Sequence, residues 1–288
     1  MVAIRNIIRN VLGIKSKESI EDGIRRKKNN LIKKLPHRKY SVYDLKRDLN
    51  ILGIKKGDAI IVHSSWRGMF ALTITPELLI DTLIEIVGQE GTIIMPCYGP
   101  KNEVFDVDFS PSTAGILSEI LRKKAGSVRS TFPKFSMVAY GKNADNIMDS
   151  HIKSTYQFDE YSPYYISTEK YNAKVLLLGM GKKTHKITAF HCASYQCSKN
   201  IPYYKSCFTK ECNSFVLKDG ERIEFKYIDR ADGCSNNRHQ FYRLFNSISK
   251  KYICHPGYSL VVFNAKDAYN AALDYCMNGG ELYTHKMQ

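Results

Sequence analysis

The stretch Leu177–Ser194, LLGMGKKTHKITAFHCAS, constrains the fold of this chain more than any other. It opens on the end of an unbroken apolar run, Val175-Leu-Leu-Leu, which suits a strand covered on both faces. Gly179 and Gly181 break the run and a polar loop follows. Thr188 and His191 then stand three apart at a helix start, with Thr188 as the expected N-cap. A histidine in the first turn of a helix that follows a central strand sits where open α/β sheets bind ligands. The same spacing also suits a surface histidine on an ordinary helix.

The pattern recurs along the chain. Short apolar runs at Ala59–Val62, Gly91–Pro96, Ser136–Gly141, Lys174–Leu178 and Tyr258–Phe263 predict strands. Helical stretches lie between them. One opens at Ser41 with Asp44 three residues on and ends near Gly53. Others run from Thr75-Pro76 to about Val87, over Thr113–Lys124 and over Asn143–Asp149. Residues 235–249 and Ala265–Met277 are also helical, the latter ended by Gly279-Gly280. Ser214–Tyr227 reads as a hairpin over Asp219-Gly220. The alternation predicts a layered α/β/α fold with a central, mostly parallel (mixed) sheet and a β-hairpin addition.

The 288 residues suffice for one large or two small domains. Their formal charge of +15 is uneven: residues 1–40 hold twelve basic residues against three acids. We read residues 1–40 as a basic arm and residues 41–288 as the α/β domain. Within the arm, Ile4, Ile7, Ile8, Val11 and Leu12 form the stripe of an amphipathic helix over Val2–Ile14, and residues 15–39 form a charged connector. Such a helix docks on its own domain, on a second subunit in a homo-oligomer, or peripherally on an anionic membrane face. No apolar run is long enough to span a bilayer and no secretory signal is evident, so a cytoplasmic protein is expected. In that compartment the eight cysteines are expected to be reduced. No C-x-x-C pair occurs; the pairs five apart, Cys192/Cys197 and Cys207/Cys212, lack the usual zinc spacing, and no metal is expected.

Walker, G-x-G-x-x-G and Gly-x-Ser-x-Gly motifs are absent, and Gly179-Met-Gly181 alone is weak as a phosphate cradle. Hydroxyls and basic groups gather instead at expected strand ends and helix starts: His63, Ser64, Ser65, Ser110, Ser112, Arg129, Ser130, Thr188 and His191. Each taken singly reads as a cap or turn residue.

These residues carry a resemblance. Ile61-Val-His-Ser-Ser, Gly91-Thr-Ile-Ile-Met-Pro, Pro111-Ser-x-x-Gly115-x-x-x-Glu119-x-x-Arg122, Arg129-Ser-x-x-Pro133-x-x-Ser136-x-x-Ala139-x-Gly141, Ser162-Pro163, Leu176-Leu-Leu-Gly and Thr188-x-x-His191 occur in the order found in the aminoglycoside N3-acetyltransferase family. The likeness covers about residues 45–275. It implies acetyl-coenzyme A as donor and an amino group of an amino sugar or aminoglycoside as acceptor. It implies His191 as general base, with Thr188 beside it, and donor binding by His63, Ser64, Ser65, Ser112, Arg129 and Ser130. Imidazole titrates near neutrality, as a base facing an amine requires. Two departures stand out: the family's x-Ala-Glu after its histidine is Cys192-Ala-Ser194 here, and its His-Pro after Arg-Ser is Phe132-Pro133. A replacement acid for the histidine would have to come from elsewhere, with Glu119, Asp159 and Glu160 as candidates. Cys192, one residue from His191 on a helix, points about 100° away and reads as a buried small residue. The altered surroundings and the net charge fit a polycationic acceptor poorly, which brings in sugar intermediates of surface-polysaccharide synthesis. Two further readings are a coenzyme A-binding pseudo-enzyme and, from charge alone, a nucleic-acid binder. The arm lacks the interleaved aromatics that the last requires, so no nucleic-acid partner is expected.

Overall fold

The computed structural model describes residues 9, 11, 13–14, 20–100, 104–181, 184 and 187–285. The helix expected over Val2–Ile14 falls largely outside them. Within the expected charged connector a helix forms, α1 (Ile20–Lys34). Tyr40, at the end of the expected arm, is built into the domain: it stacks on Tyr258 with ring centroids 4.0 Å apart.

Seven strands form the main sheet. In chain order they are β1 (Ala59–Ser64), β2 (Thr92–Pro96), β4 (Ser127–Arg129), β5 (Met137–Gly141), β6 (Lys174–Leu178), β10 (Lys251–His255) and β11 (Tyr258–Asn264), and across the sheet β10-β11-β6-β1-β2-β5-β4. The middle three, β6, β1 and β2, pair in parallel. The flanking pairs are antiparallel, so only β5 and β11 run against the other five. The sheet is therefore mixed, with its parallel part at the centre. Strands β4 and β10 escaped the sequence reading because each is short, half-exposed and at an edge.

The unbroken apolar runs reflect two separate cores, because alternate residues face opposite sides. Ile60, Val62, Ile93, Met95, Leu176 and Leu178 pack under α2 (Val42–Ile51), α3 (Pro76–Val87) and α4 (Ile116–Lys123). Ile61, Ile94, Ala139, Val175, Leu177 and Val261 pack on the other face. There they meet α5 (Ala144–Met148), α6 (Pro163–Tyr171), α7 (Thr188–Ser198), α8 (Pro202–Cys207), α9 (Arg238–Ser247) and α10 (Ala265–Met277). This is the expected α/β/α layering. Ser41 and Asp44 close a full capping box on α2, and Thr75 caps α3 ahead of Pro76. Among the described residues, no helix is long and apolar enough to cross a membrane.

The hairpin is β7 (Lys210–Lys218) and β8 (Glu221–Asp229), joined through Asp219 and Gly220 at φ of 52° and 80°. Two left-handed residues make the tight turn whose twist matches the strands. It packs Val216 and Phe225 on Phe105, Val107 and Phe132, and β3 (Phe105–Asp106) pairs with β7. A last ribbon joins β9 (Cys234–Asn236) to β12 (Tyr283–His285). The helix expected from residue 235 starts only at Arg238, because residues 234–236 are used in this ribbon.

Candidate active site

A cavity of about 410 Å³ opens at the carboxyl ends of the parallel strands. Strands β1 and β6 end in register, with Ser64 opposite Leu178, and the Ser65 amide donates to the Leu178 carbonyl at 2.8 Å. Just beyond, the backbones touch. A Cβ on Gly179, which has φ of 67°, would lie 2.3 Å from the Ser65 carbonyl oxygen. Glycine is thus required there by the close approach of the two strand ends. This accounts for Gly179 without a phosphate.

The cavity wall includes His63, Ser64 and Ser65 from the tip of β1, Pro96 from β2, and Thr188 and His191 from the first turn of α7. Five of the eight residues to which the resemblance gave a role therefore meet. Thr188 is the first helical residue and Ile187 the cap position, with no side-chain cap bond. The Thr188 hydroxyl is not committed to the N-cap role expected of it.

The other three stand outside the cavity. Arg129 is buried, its guanidinium donating to the carbonyls of Cys97 (2.7 Å), Val107 (3.4 Å) and Ser110 and to Ser136 Oγ (3.3 Å), over the ring of Phe105. It ties loop backbone together and does not line the cavity. Ser130 Oγ accepts from the Met137 amide at 2.9 Å and bonds His151 Nδ1 at 2.7 Å. Ser112 closes the loop ahead of α4: its amide donates to Glu119 at 2.8 Å and its Oγ accepts from the Ala114 amide at 3.2 Å. Arginine and serine next to strand ends look alike in sequence whether they face a ligand or the backbone.

His191 is walled by rings: Phe241 at 5.3 Å, Phe158 at 5.8 Å and Tyr283 at 5.9 Å between centroids. Its Nδ1 bonds the Tyr283 hydroxyl at 2.8 Å, and that hydroxyl bonds Ser194 Oγ, also at 2.8 Å. Ser194 Oγ in turn lies 3.0 Å from the His191 carbonyl oxygen. The end of this chain of bonds fixes its direction. A carbonyl only accepts, so Ser194 donates to it and must accept from Tyr283. Tyr283 has then used its one proton, so it accepts from Nδ1–H. His191 is consequently the Nδ1–H tautomer, with the lone pair on Nε2. Burial pushes its pKa down to about 3, helped by the nearby Arg230 guanidinium.

Among the described residues no carboxylate bonds His191 in place of the family glutamate. Asp159 accepts from Ser154 Oγ and from the amides of Thr155, Tyr156 and Tyr161. Glu119 is held by Arg122 at 2.8 Å, which lowers its pKa to about 2, and Glu160 by Lys199 at 3.0 Å. The partner is instead Tyr283, 92 residues away in sequence and beyond the span of the resemblance. No local signal could have found it. Gln157, Arg230 and Asn236 also line the cavity and were missed, because the hairpin and ribbon that bring the last two in are contacts between distant segments.

His63 is held neutral, its pKa pushed down to about 4 by burial, and its Nε2 is buried without a partner. Gln157 Oε1, also on the wall, is likewise unpartnered. Such orphaned polar atoms mark places where a substrate can supply the missing bond. Cys192 is buried and its thiol is pushed well above its ordinary pKa, so it supplies no nucleophile. All eight cysteines are reduced thiols, and those that influence one another, Cys197 with Cys276 and Cys207 with Cys234, are not the pairs five apart in sequence. Among the described residues no cluster of three His, Cys, Asp or Glu side chains could hold a metal.

Comparison with known proteins gives this geometry a context. The profile of the family described as aminoglycoside 3-N-acetyltransferase matches residues 61–275. The aminoglycoside N(3')-acetyltransferase-like protein YokD of Bacillus subtilis, derived from the SPbeta prophage, is 30% identical over 221 residues, covering 67% of this chain and 76% of its own. Aminoglycoside N(3)-acetyltransferase IV of Salmonella sp is 29% identical over 188 residues, covering 64% and 67%. Among solved structures, AAC-IIIb in binary complex with CoASH superposes with a TM-score of 0.72 at 21% identity, over 86% of this chain and 99% of that one. The chain belongs to the aminoglycoside 3-N-acetyltransferase family and is an acyltransferase.

Proposed function

We propose that the protein moves an acetyl group from acetyl-coenzyme A to an amino group of an amino sugar, the class that includes aminoglycosides. The observation that carries this reading is the bond chain that makes His191 donate from Nδ1 and so leaves Nε2 for a substrate, in one cavity wall with Thr188, Ser64 and Ser65. In the reaction the amine nitrogen attacks the thioester carbonyl, and a C–N bond forms as the C–S bond breaks. The nitrogen becomes acidic as that bond forms, so even a base of depressed pKa can take its proton. Nε2 receives it, and the departing thiolate is protonated to free coenzyme A. The hydroxyls and nearby backbone amides stabilise the charge that develops on the thioester oxygen. No covalent enzyme intermediate is needed.

Two features support donor entry here: the unpartnered His63 Nε2 and Gln157 Oε1, and the CoASH complex of the structural relative. The test is thiol release from acetyl-coenzyme A with an amino-sugar panel. The His191→Gln variant should lose about 10²–10⁴ in kcat with little change in KM for the donor. Near-normal turnover by this variant would end the proposal.

A further inference from the structure

The cavity wall carries one formally charged side chain among its described residues, Arg230, and no carboxylate. Its two histidines are held neutral by burial. The acids nearest in sequence or in the wall's support are engaged elsewhere. Asp229 pairs with Lys134, Asp232 with Lys210 at 2.7 Å, and Asp159 with the serine hydroxyl and backbone amides named above. Arg230 is fixed from two sides: Nη1 donates to Asn236 Oδ1, and the guanidinium lies over Tyr283, 5.4 Å from its centroid. That ring is the one whose hydroxyl holds His191, so a cation stands one side chain from the proposed base.

A site of this make-up is poorly matched to a polycation. Ammonium groups entering it would meet a guanidinium and, among the described lining residues, no counter-charge, in a half-enclosed cavity where repulsion is less screened than in bulk water. An anion is matched: with Nη1 on Asn236, the guanidinium keeps further N–H donors for the paired oxygens of a carboxylate or phosphate.

We infer that the acceptor is an anionic amino sugar, carrying a carboxylate or phosphate near the reacting amine, and that Arg230 reads that group. This rests on the acetyl-transfer reading above and narrows it. Coenzyme A is itself anionic, but its phosphates lie at the far end of the pantetheine arm from the thioester. Arg230 lies at the His191 end, where the acceptor must be.

The experiment measures thiol release at low salt. The probes are glucosamine 6-phosphate and 2-amino-2-deoxyglucuronate as anions, glucosamine as the plain scaffold, and kanamycin as the polycation. At least tenfold higher kcat/KM for the anions than for kanamycin is expected. Arg230→Gln should abolish the preference by raising the acceptor KM about tenfold, with the acetyl-coenzyme A KM within twofold, and Arg230→Lys should restore part of it. If kanamycin is the best acceptor, or if Arg230→Gln raises the donor KM and not the acceptor's, the inference is overturned while acetyl transfer stands. If no amine in the panel releases thiol, both fall together.

Discussion

Tyr283→Phe removes one oxygen atom and tests the bond chain that defines His191. The ring stays, and with it the packing on Phe241, Phe208 and Tyr204. What is lost is the acceptor for Nδ1–H, 2.8 Å away, and the donor to Ser194. Ser194 keeps the His191 carbonyl, so one buried donor is orphaned, at a cost of about 1–3 kcal/mol. At about 2–4 °C per kcal/mol for a chain somewhat smaller than this one, the melting point should drop by roughly 2–10 °C. The kinetic effect should be larger in proportion. With Nδ1 released, the imidazole is free to carry its proton on Nε2, where it cannot act as a base. A fall in kcat of roughly 10- to 100-fold is expected, short of the loss from removing the base itself. Adding Tyr283→Phe to His191→Gln should then cost little further rate, since both changes act on one unit. Wild-type turnover in the single variant, or additive losses in the double one, would refute the assignment of tautomer and role.

Three other outcomes follow from the same structure. Ser194→Glu, which restores the family residue, should lower both stability and turnover. Ser194 is fully buried with Tyr283 already against it, and a carboxylate there lacks room and displaces the tyrosine hydroxyl; a rise in turnover would contradict this. His63, His151 and His191 have pKa values lowered by burial to about 4, 3 and 3 from an ordinary 6.5. The unfolded chain therefore binds more protons between those values. The stability these groups contribute is complete above pH 6.5 and is lost as pH falls toward 4, so thermal unfolding followed from pH 7.5 to 4.5 should show a falling melting point. Finally, deleting residues 1–36, which spares Tyr40 and its stacking on Tyr258, should leave turnover within twofold. If the deleted segment docks on anionic lipid, co-sedimentation with phosphatidylglycerol vesicles at low salt should disappear with it.

The parts legible in the sequence were those written in local pattern. Val175–Leu178 announced a strand covered on both faces, and its alternate residues do enter two separate cores. Asp219-Gly220 announced its turn, and Ser41 with Asp44 announced a helix start. His191, Thr188 and the His63–Ser65 tip could be grouped because strand ends and helix starts are recognisable and a sheet brings them together, here around one cavity. Arg129 and Ser130 misled, since both sit at a strand end yet face inward to backbone groups. The acid sought for His191 misled in another way. The question assumed a charge, whereas the structure supplies a neutral hydroxyl relay from a strand that no periodicity links to α7.

That relay changes what catalytic competence depends on. A glutamate three residues after the histidine would be positioned by the helix itself, and any state that kept α7 would keep the pair. Tyr283 comes instead from a ribbon of three residues per strand, docked by burying its own ring and Leu282 in the core. A two-stranded ribbon is marginal by itself, so it stays closed only through that burial. On the proposed role of His191, activity depends on this ribbon staying docked as well as on α7. It should fade in mild denaturant while the far-ultraviolet signal of the helices is still intact.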